Sequence, residues 1–176
     1  MNPTPHNRRT LAIVLRSRRF GFAVFEGPTR LLNWGMVFYP LNDVAQHVAA
    51  SKRVVSLLLL FTPSVVVVGR ARLLKVHARS GVNPILRSIR HEASARLIPV
   101  RLMMTAEMRR VFGVLHTKSK HEIASRLVKV FPELHGKLPP KRRLWDSEHP
   151  IMTMFDAVAM GYAYWQLYGE RDRTAE

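Results

Sequence analysis

Apolar and polar positions fall into three short extended blocks at the start of the chain. Leu11–Val14 (LAIV) leads into a polar cluster of Arg16, Ser17, Arg18 and Arg19, and Phe20–Phe25 (FGFAVF) follows, aromatic and β-branched. Glu26, Gly27 and Pro28 close that block, and a third, Arg30–Tyr39 (RLLNWGMVFY), runs to Pro40. Blocks of this length bounded by turn residues predict three strands in an antiparallel meander.

The period then changes. Asp43 followed by Gln46 has the form of a capping box, and Val44, Val48, Val55 and Leu58 recur at helical spacing up to Pro63. Val65–Val68 is four valines with no polar relief, which suits a strand covered on both faces. A helix is predicted over Ile85–Leu97, a fifth strand over Pro99–Met104, and a short helix from Thr105 as N-cap to Val111. Ser119 with Glu122 forms a second capping box, opening a helix with Ile123, Leu127 and Val130 on its apolar side. A basic, proline-bearing loop, Gly136–Arg143, precedes a last helix from Pro150 to about Gly169, with Met154, Phe155, Val158, Tyr162 and Trp165 as its buried stripe. The order β-β-β-α-β-α-β-α-α-α predicts one α/β domain, residues 11–168, with a mixed five-stranded sheet and helices on both faces. Residues 1–10 read as a flexible basic segment and 169–176 as a frayed tail.

Charge changes the picture more than length does. Among 176 residues, Lys and Arg total 28 against 12 Asp and Glu, a formal charge of +16. This excess exceeds what solubility needs and favours a polyanionic partner. Cysteine is absent, which excludes disulfides, thiolate metal sites and cysteine nucleophiles and is compatible with a reducing cytoplasm. The opening MNPTPHNRRT has no apolar h-region, and the run Val54–Phe61 is shorter than the ~20 residues of a spanning helix. The expectation is a cytoplasmic protein with no membrane partner. Phosphate-binding glycine loops, G-x-S-x-G and H-E-x-x-H are all missing, so no small-molecule cofactor is expected.

Three stretches carry a resemblance to a known family. LAIVLRSRRFGFAVFEG looks like a first hairpin in which a strand ends in Asp, runs through Pro-Gly-Ser-Arg and resumes with a Gly-bearing strand; Ser17, Arg18 and Gly21 match that pattern. MRRVFGVLHTKSKHEIASRLVKVFPEL is similar to the family's helix, basic loop and Lys-led helix, and PPKRRLWDSEHPIMTMFDAVAMGYAYW to its closing helix with an Asp-Ala pair, here Asp156 and Ala157. Together these resemble the RuvC-type Holliday-junction resolvases of the RNase H-like fold, over roughly Leu11 to Trp165. The resemblance implies a homodimer and metal ions held by an Asp ending the first strand, a Glu ending the fourth, and acids at the last helix. Counting from Gly21 puts the first Asp at Val14, with Leu15 and Arg16 in place of Pro-Gly; counting along the fourth strand puts the Glu at Gly69. Asp156 and Glu148 remain as candidate metal ligands.

Two-metal hydrolysis needs carboxylates from several elements around cations ~3.5–4 Å apart. With Val14 and Gly69 at the strand positions, the expected function is nucleic-acid binding by a RuvC-like domain whose metal site has decayed. The alternatives are a Mg²⁺-dependent structure-selective endonuclease resting on Asp156 and Glu148, and a basic scaffold subunit of a nucleoprotein assembly. The cations placed to meet phosphates are Arg16, Arg18 and Arg19 after the first strand, Arg70, Arg72 and Lys75 after the fourth, Arg109, Arg110, Lys118 and Lys120 around the next crossover, and Lys141, Arg142 and Arg143 before the last helix. DNA is expected ahead of RNA. His116, His121 and His149 lack metal-ligand spacing and read as surface residues. Trp34, Phe38 and Tyr39 are candidate base-stacking residues, although strand aromatics are more often core.

Overall fold

The computed structural model describes residues 8–39, 44–70, 82–113, 119–143 and 145–169, the side chains at 70, 82 and 83 excepted. Three antiparallel strands come first: β1 (Arg9–Leu15), β2 (Arg19–Glu26) and β3 (Arg30–Phe38). Gly27, at φ 69°, makes the β2–β3 turn in a conformation that a side chain would strain. Helix α1 (Val44–Phe61) leads to β4 (Val65–Arg70), and α2 (Val82–Ser94) leads to β5 (Val100–Met104). Strands β4 and β5 join β1 in parallel, giving the order β3-β2-β1-β4-β5. Three helices complete the domain: α3 (Thr105–Gly113), α4 (Lys120–Val130) and α5 (Met152–Tyr168), with a 3₁₀ turn at Pro132–Lys137 after α4.

The strand alternation sorts the core into two layers. Leu11, Ile13, Phe20, Phe22, Val66 and Val68 point toward α1 and α2. Val14, Ala23, Phe25 and Val67 point to the other face, against α3, α4 and α5. Val65–Val68 is thus covered on both faces, which is why its sequence has no polar relief. Helix α5 is buried nearly all round, between the sheet and α3 and α4, with Met154, Phe155, Val158 and Trp165 inside and Tyr162 half-buried.

The apolar positions predicted on α1 do not share one side: Val44 and Val48 are exposed, Val55 is half-buried, and Leu58 is buried with Ala50, Val54 and Leu57. The proposed cap at Asp43 lies outside the described residues. At 18 residues α1 also reaches the length and mean hydropathy of a membrane span, which the shorter run Val54–Phe61 did not suggest.

Helix α5 crosses the sheet at almost no distance from β2. A Cβ added at Gly21 would lie 2.1 Å from the Thr153 carbonyl oxygen and 2.8 Å from the Met154 nitrogen, both backbone. Gly161, a later α5 residue, meets only the ring edge of Phe25, at 2.2 Å. Overpacking against backbone cannot be relieved by a rotamer change. Gly21→Ala is therefore expected to destabilise the domain by about 3 kcal/mol or more, and Gly161→Ala by less, read from urea denaturation midpoints. Equal losses would show that α5 can lift from β2.

Candidate nucleic-acid interface

The C-terminal ends of β1 and β4 lie side by side, and Val14 is in parallel register with Gly69. These are the two positions at which counting from the resemblance had placed its strand carboxylates. Val14 is buried, and a Cβ at Gly69 would meet Met160 Cε and Val14 Cγ2, each at 2.9 Å. Met160 lies one turn beyond Asp156 on α5, and all four residues line a cleft of about 200 Å³.

Asp156 is the acid of this cleft, and two cations hold it. Arg16 Nη2 donates to Asp156 Oδ2 at 2.5 Å, and Lys120 Nζ to the same oxygen at 3.3 Å. Lys120 also reaches Glu148 Oε1 at 2.5 Å, so one ammonium joins the two acids that sequence had singled out. Asp146 stands apart: its carboxylate accepts from the Arg143 N–H. Among the described residues, no three of His, Asp and Glu gather in a cluster able to hold a metal ion.

Local geometry explains why Arg16 and Lys120 arrive here. The β1–β2 turn closes with Arg16 N–H donating to Arg19 O at 2.8 Å. Buried Tyr39 clamps it, its N–H on the Arg18 carbonyl and its hydroxyl on the Arg16 carbonyl. Burial pushes the Tyr39 phenol well above its ordinary range, so it stays a donor. Lys120 opens α4 directly after the Ser119 cap, whose hydroxyl accepts from Glu122 N–H while the Glu122 carboxylate accepts from Ser119 N–H.

A second cleft of about 420 Å³ continues outward, sharing Arg109, Ser119 and Lys120 with the first and adding Lys141, Arg142 and His149. Arg109, Lys141 and Arg142 are exposed on this rim. Of the remaining expected cations, Arg18 is exposed on the β1–β2 turn, and Arg19 donates through Nε to Thr153 Oγ1 at 2.8 Å. Arg110 is exposed but lines neither cleft. Arg70 ends β4, its side chain outside the described residues, as are Arg72, Lys75, His116 and Lys118. His121 Nε2 is 3.0 Å from the Pro139 carbonyl oxygen, a loop-bracing contact.

Two of the three stacking candidates belong to the core, as strand aromatics more often do. Tyr39 is buried and Trp34 half-buried against the core; Phe38 alone is exposed. Sequence reasoning passed over Trp145, which is 78% exposed on the basic loop. Reciprocal bonds between Arg143 and Asp146 form the turn that projects it, and the Arg143 guanidinium sits 5.9 Å from its ring centroid. The available signal was an aromatic residue within a polar stretch, outside any apolar period.

No family model and no curated protein matches the sequence. Thermus thermophilus RuvC does match in structure, both alone and in complex with a Holliday junction substrate. Each match has 18% identity and a TM-score of 0.69, over 93% of this chain and 96% of that one. The yeast mitochondrial Holliday junction resolvase matches at 18% identity and a TM-score of 0.57, over 99% and 85%. The fold is RNase H-like, of the RuvC type. In this fold the Val14–Gly69 strand ends and the α5 position of Asp156 share one edge, which is why residues so distant in sequence line one cleft.

The ion pairs differ in exposure, and a double-mutant cycle reads the difference. Arg16 and Asp156 are mostly shielded, whereas Lys120 and Glu148 are each more than a third exposed. A double-mutant cycle with Arg16→Gln and Asp156→Asn is expected to give a coupling of about 1–2 kcal/mol, against about 0.5 kcal/mol for Lys120→Gln with Glu148→Gln. Coupling near zero for the first pair would remove it as the cleft's organising contact. Separately, Glu107 at the start of α3 accepts from Met104 N–H and the Tyr168 hydroxyl, which hold its carboxyl below the usual range. A lowered folded-state value contributes stability above the unfolded value of ~4.3 that is lost as pH falls through the folded one. Glu107→Gln is expected to flatten the fall in urea midpoint below about pH 4; an unchanged slope would contradict this.

Proposed function

We propose that this chain binds branched or partly unpaired nucleic acid, DNA ahead of RNA, and does not hydrolyse it. The observation that carries the reading is the state of Asp156, bonded to both Arg16 and Lys120 in a cleft whose strand ends are Val14 and Gly69. These residues do not fit a pair of divalent cations. Such a pair needs bridging carboxylates from the strands, and here Met160 and Val14 fill that space. Two side-chain cations neutralise the remaining acids instead, so the cleft keeps a positive rim in Arg109, Lys141 and Arg142 without metal.

The rim and the +16 charge supply sequence-independent attraction for phosphates. Trp145, beside Arg143, supplies an aromatic face for an unstacked base, as at a branch point. The solved RuvC bound to a Holliday junction supports a four-way DNA junction as the first ligand to try.

The experiment is binding and cleavage of a labelled four-way DNA junction, in EDTA and in Mg²⁺ or Mn²⁺. Binding is expected without metal, with no cutting in either condition. Affinity should fall with a log–log salt slope near −5 for about six phosphate contacts. Trp145→Ala is expected to weaken junction binding about 5- to 100-fold and plain duplex binding much less. Metal-dependent nicks that disappear in Asp156→Asn would overturn the proposal in favour of an active endonuclease. Salt-insensitive binding would overturn the electrostatic basis.

A further inference from the structure

Helix α1 is apolar on two opposite sides, and among the described residues only one of them packs into the core. Its buried residues, Ala50, Val54, Leu57 and Leu58, form the side against the sheet. At 100° per residue, a second row of Ala45, Val48, Lys52, Val55 and Leu59 centres roughly 150–180° away. This row follows the 3-4-3-4 spacing of a helix-pairing seam. Val48 is 48% exposed and Leu59 60%; Ala45 and Lys52 are exposed and Val55 half-buried. Val44, 78% exposed, widens the strip at its start. The helix is 18 residues, about 27 Å, long enough for a seam of two to three heptads.

Charge decides what fits this seam. Helix α1 contains no Asp or Glu. Lys52 sits in the middle of the five seam positions, and none of the ion pairs among the described residues includes it. Arg53, next along, lies instead over the Phe22 ring at 5.4 Å. Pairing the seam with its counterpart on a second copy, in register, would put Lys52 against Lys52 in either helix direction, between chains that each carry +16. A bilayer would have to bury that ammonium in the centre of the apolar strip, whereas membrane-surface helices carry their cations on the polar face. A helix with its own apolar seam and a carboxylate at the matching position satisfies both features at once.

We propose that the outward side of α1 docks an acidic amphipathic helix of a partner protein, with a carboxylate of that helix paired to Lys52. This surface lies on the face of the sheet opposite α5 and its cleft, so the proposal stands apart from the nucleic-acid reading.

The test uses the full chain and a fluorescent designed helix about three heptads long, with leucine along its seam, Glu opposite Lys52 and a net negative charge. Its twin carries Lys at that one position. Anisotropy is expected to show the Glu peptide binding at micromolar concentration and the twin at least about tenfold more weakly. Lys52→Glu should reverse that order, and Leu59→Asp should weaken both peptides. Both sites are exposed, so circular dichroism and the urea midpoint should not move, separating lost docking from lost folding. Failure of Lys52→Glu to reverse the preference, or absence of binding, overturns the proposal. A wild-type dimer in sedimentation that Leu59→Asp dissociates would overturn it in favour of self-association. Binding to phosphatidylglycerol vesicles stronger than to the peptide, and lost in Leu59→Asp, would do so in favour of a lipid surface.

Discussion

The near-contact of α5 with β2 is the constraint on which the rest of the molecule depends. Gly21 has no side chain, so the Thr153 carbonyl can lie on the strand, and the whole helix is drawn down onto the sheet. The packing layer is nearly continuous along α5, from Met152 to Trp165, which holds the helix in one axial position. That position sets Asp156 beside the end of β1, within hydrogen-bond reach of Arg16. Arg19, anchored on Thr153, ties the other end of the turn to the same helix. A longer separation would leave Asp156 facing water and Arg16 free on its loop.

Within that frame the cleft is held by fixed cations. Arg16 is placed by a turn that Tyr39 clamps from below, and Lys120 by the capped start of α4. Their bonds to Asp156 satisfy a charge that would otherwise be poorly solvated beside Val14 and Met160, and Lys120 ties the more exposed Glu148 to the same pair. The acids orient the cations and the cations neutralise the acids. Charge left over on the rim comes from residues without such duties, Arg109, Lys141 and Arg142 among them.

The strands and most helices were legible because their signals are local: alternation in β1 to β3, unrelieved valine in β4, and the Ser119–Glu122 cap of α4. Counting placed the resemblance's two strand carboxylates at Val14 and Gly69, and the parallel register of β1 with β4 sets these two residues side by side. Three things were not legible. The buried side of α1 was not legible because both sides are apolar and periodicity cannot say which one meets the sheet. The Arg16–Asp156 bond spans 140 positions and depends on how closely α5 lies, which no local pattern encodes. Trp145 was passed over because an aromatic in a loop has no period, and only its exposure reveals it.

The packing at Gly69 also sets how far the end of the cleft can open. A Cβ at 69 would meet Met160 Cε and Val14 Cγ2, each at 2.9 Å. The methionine ends in a flexible arm that can swing aside, whereas valine is stiff about its first side-chain torsion. One wall of the cleft is therefore a hinge and the other a fixed stop, and a side chain at 69 would be admitted only as far as Met160 yields.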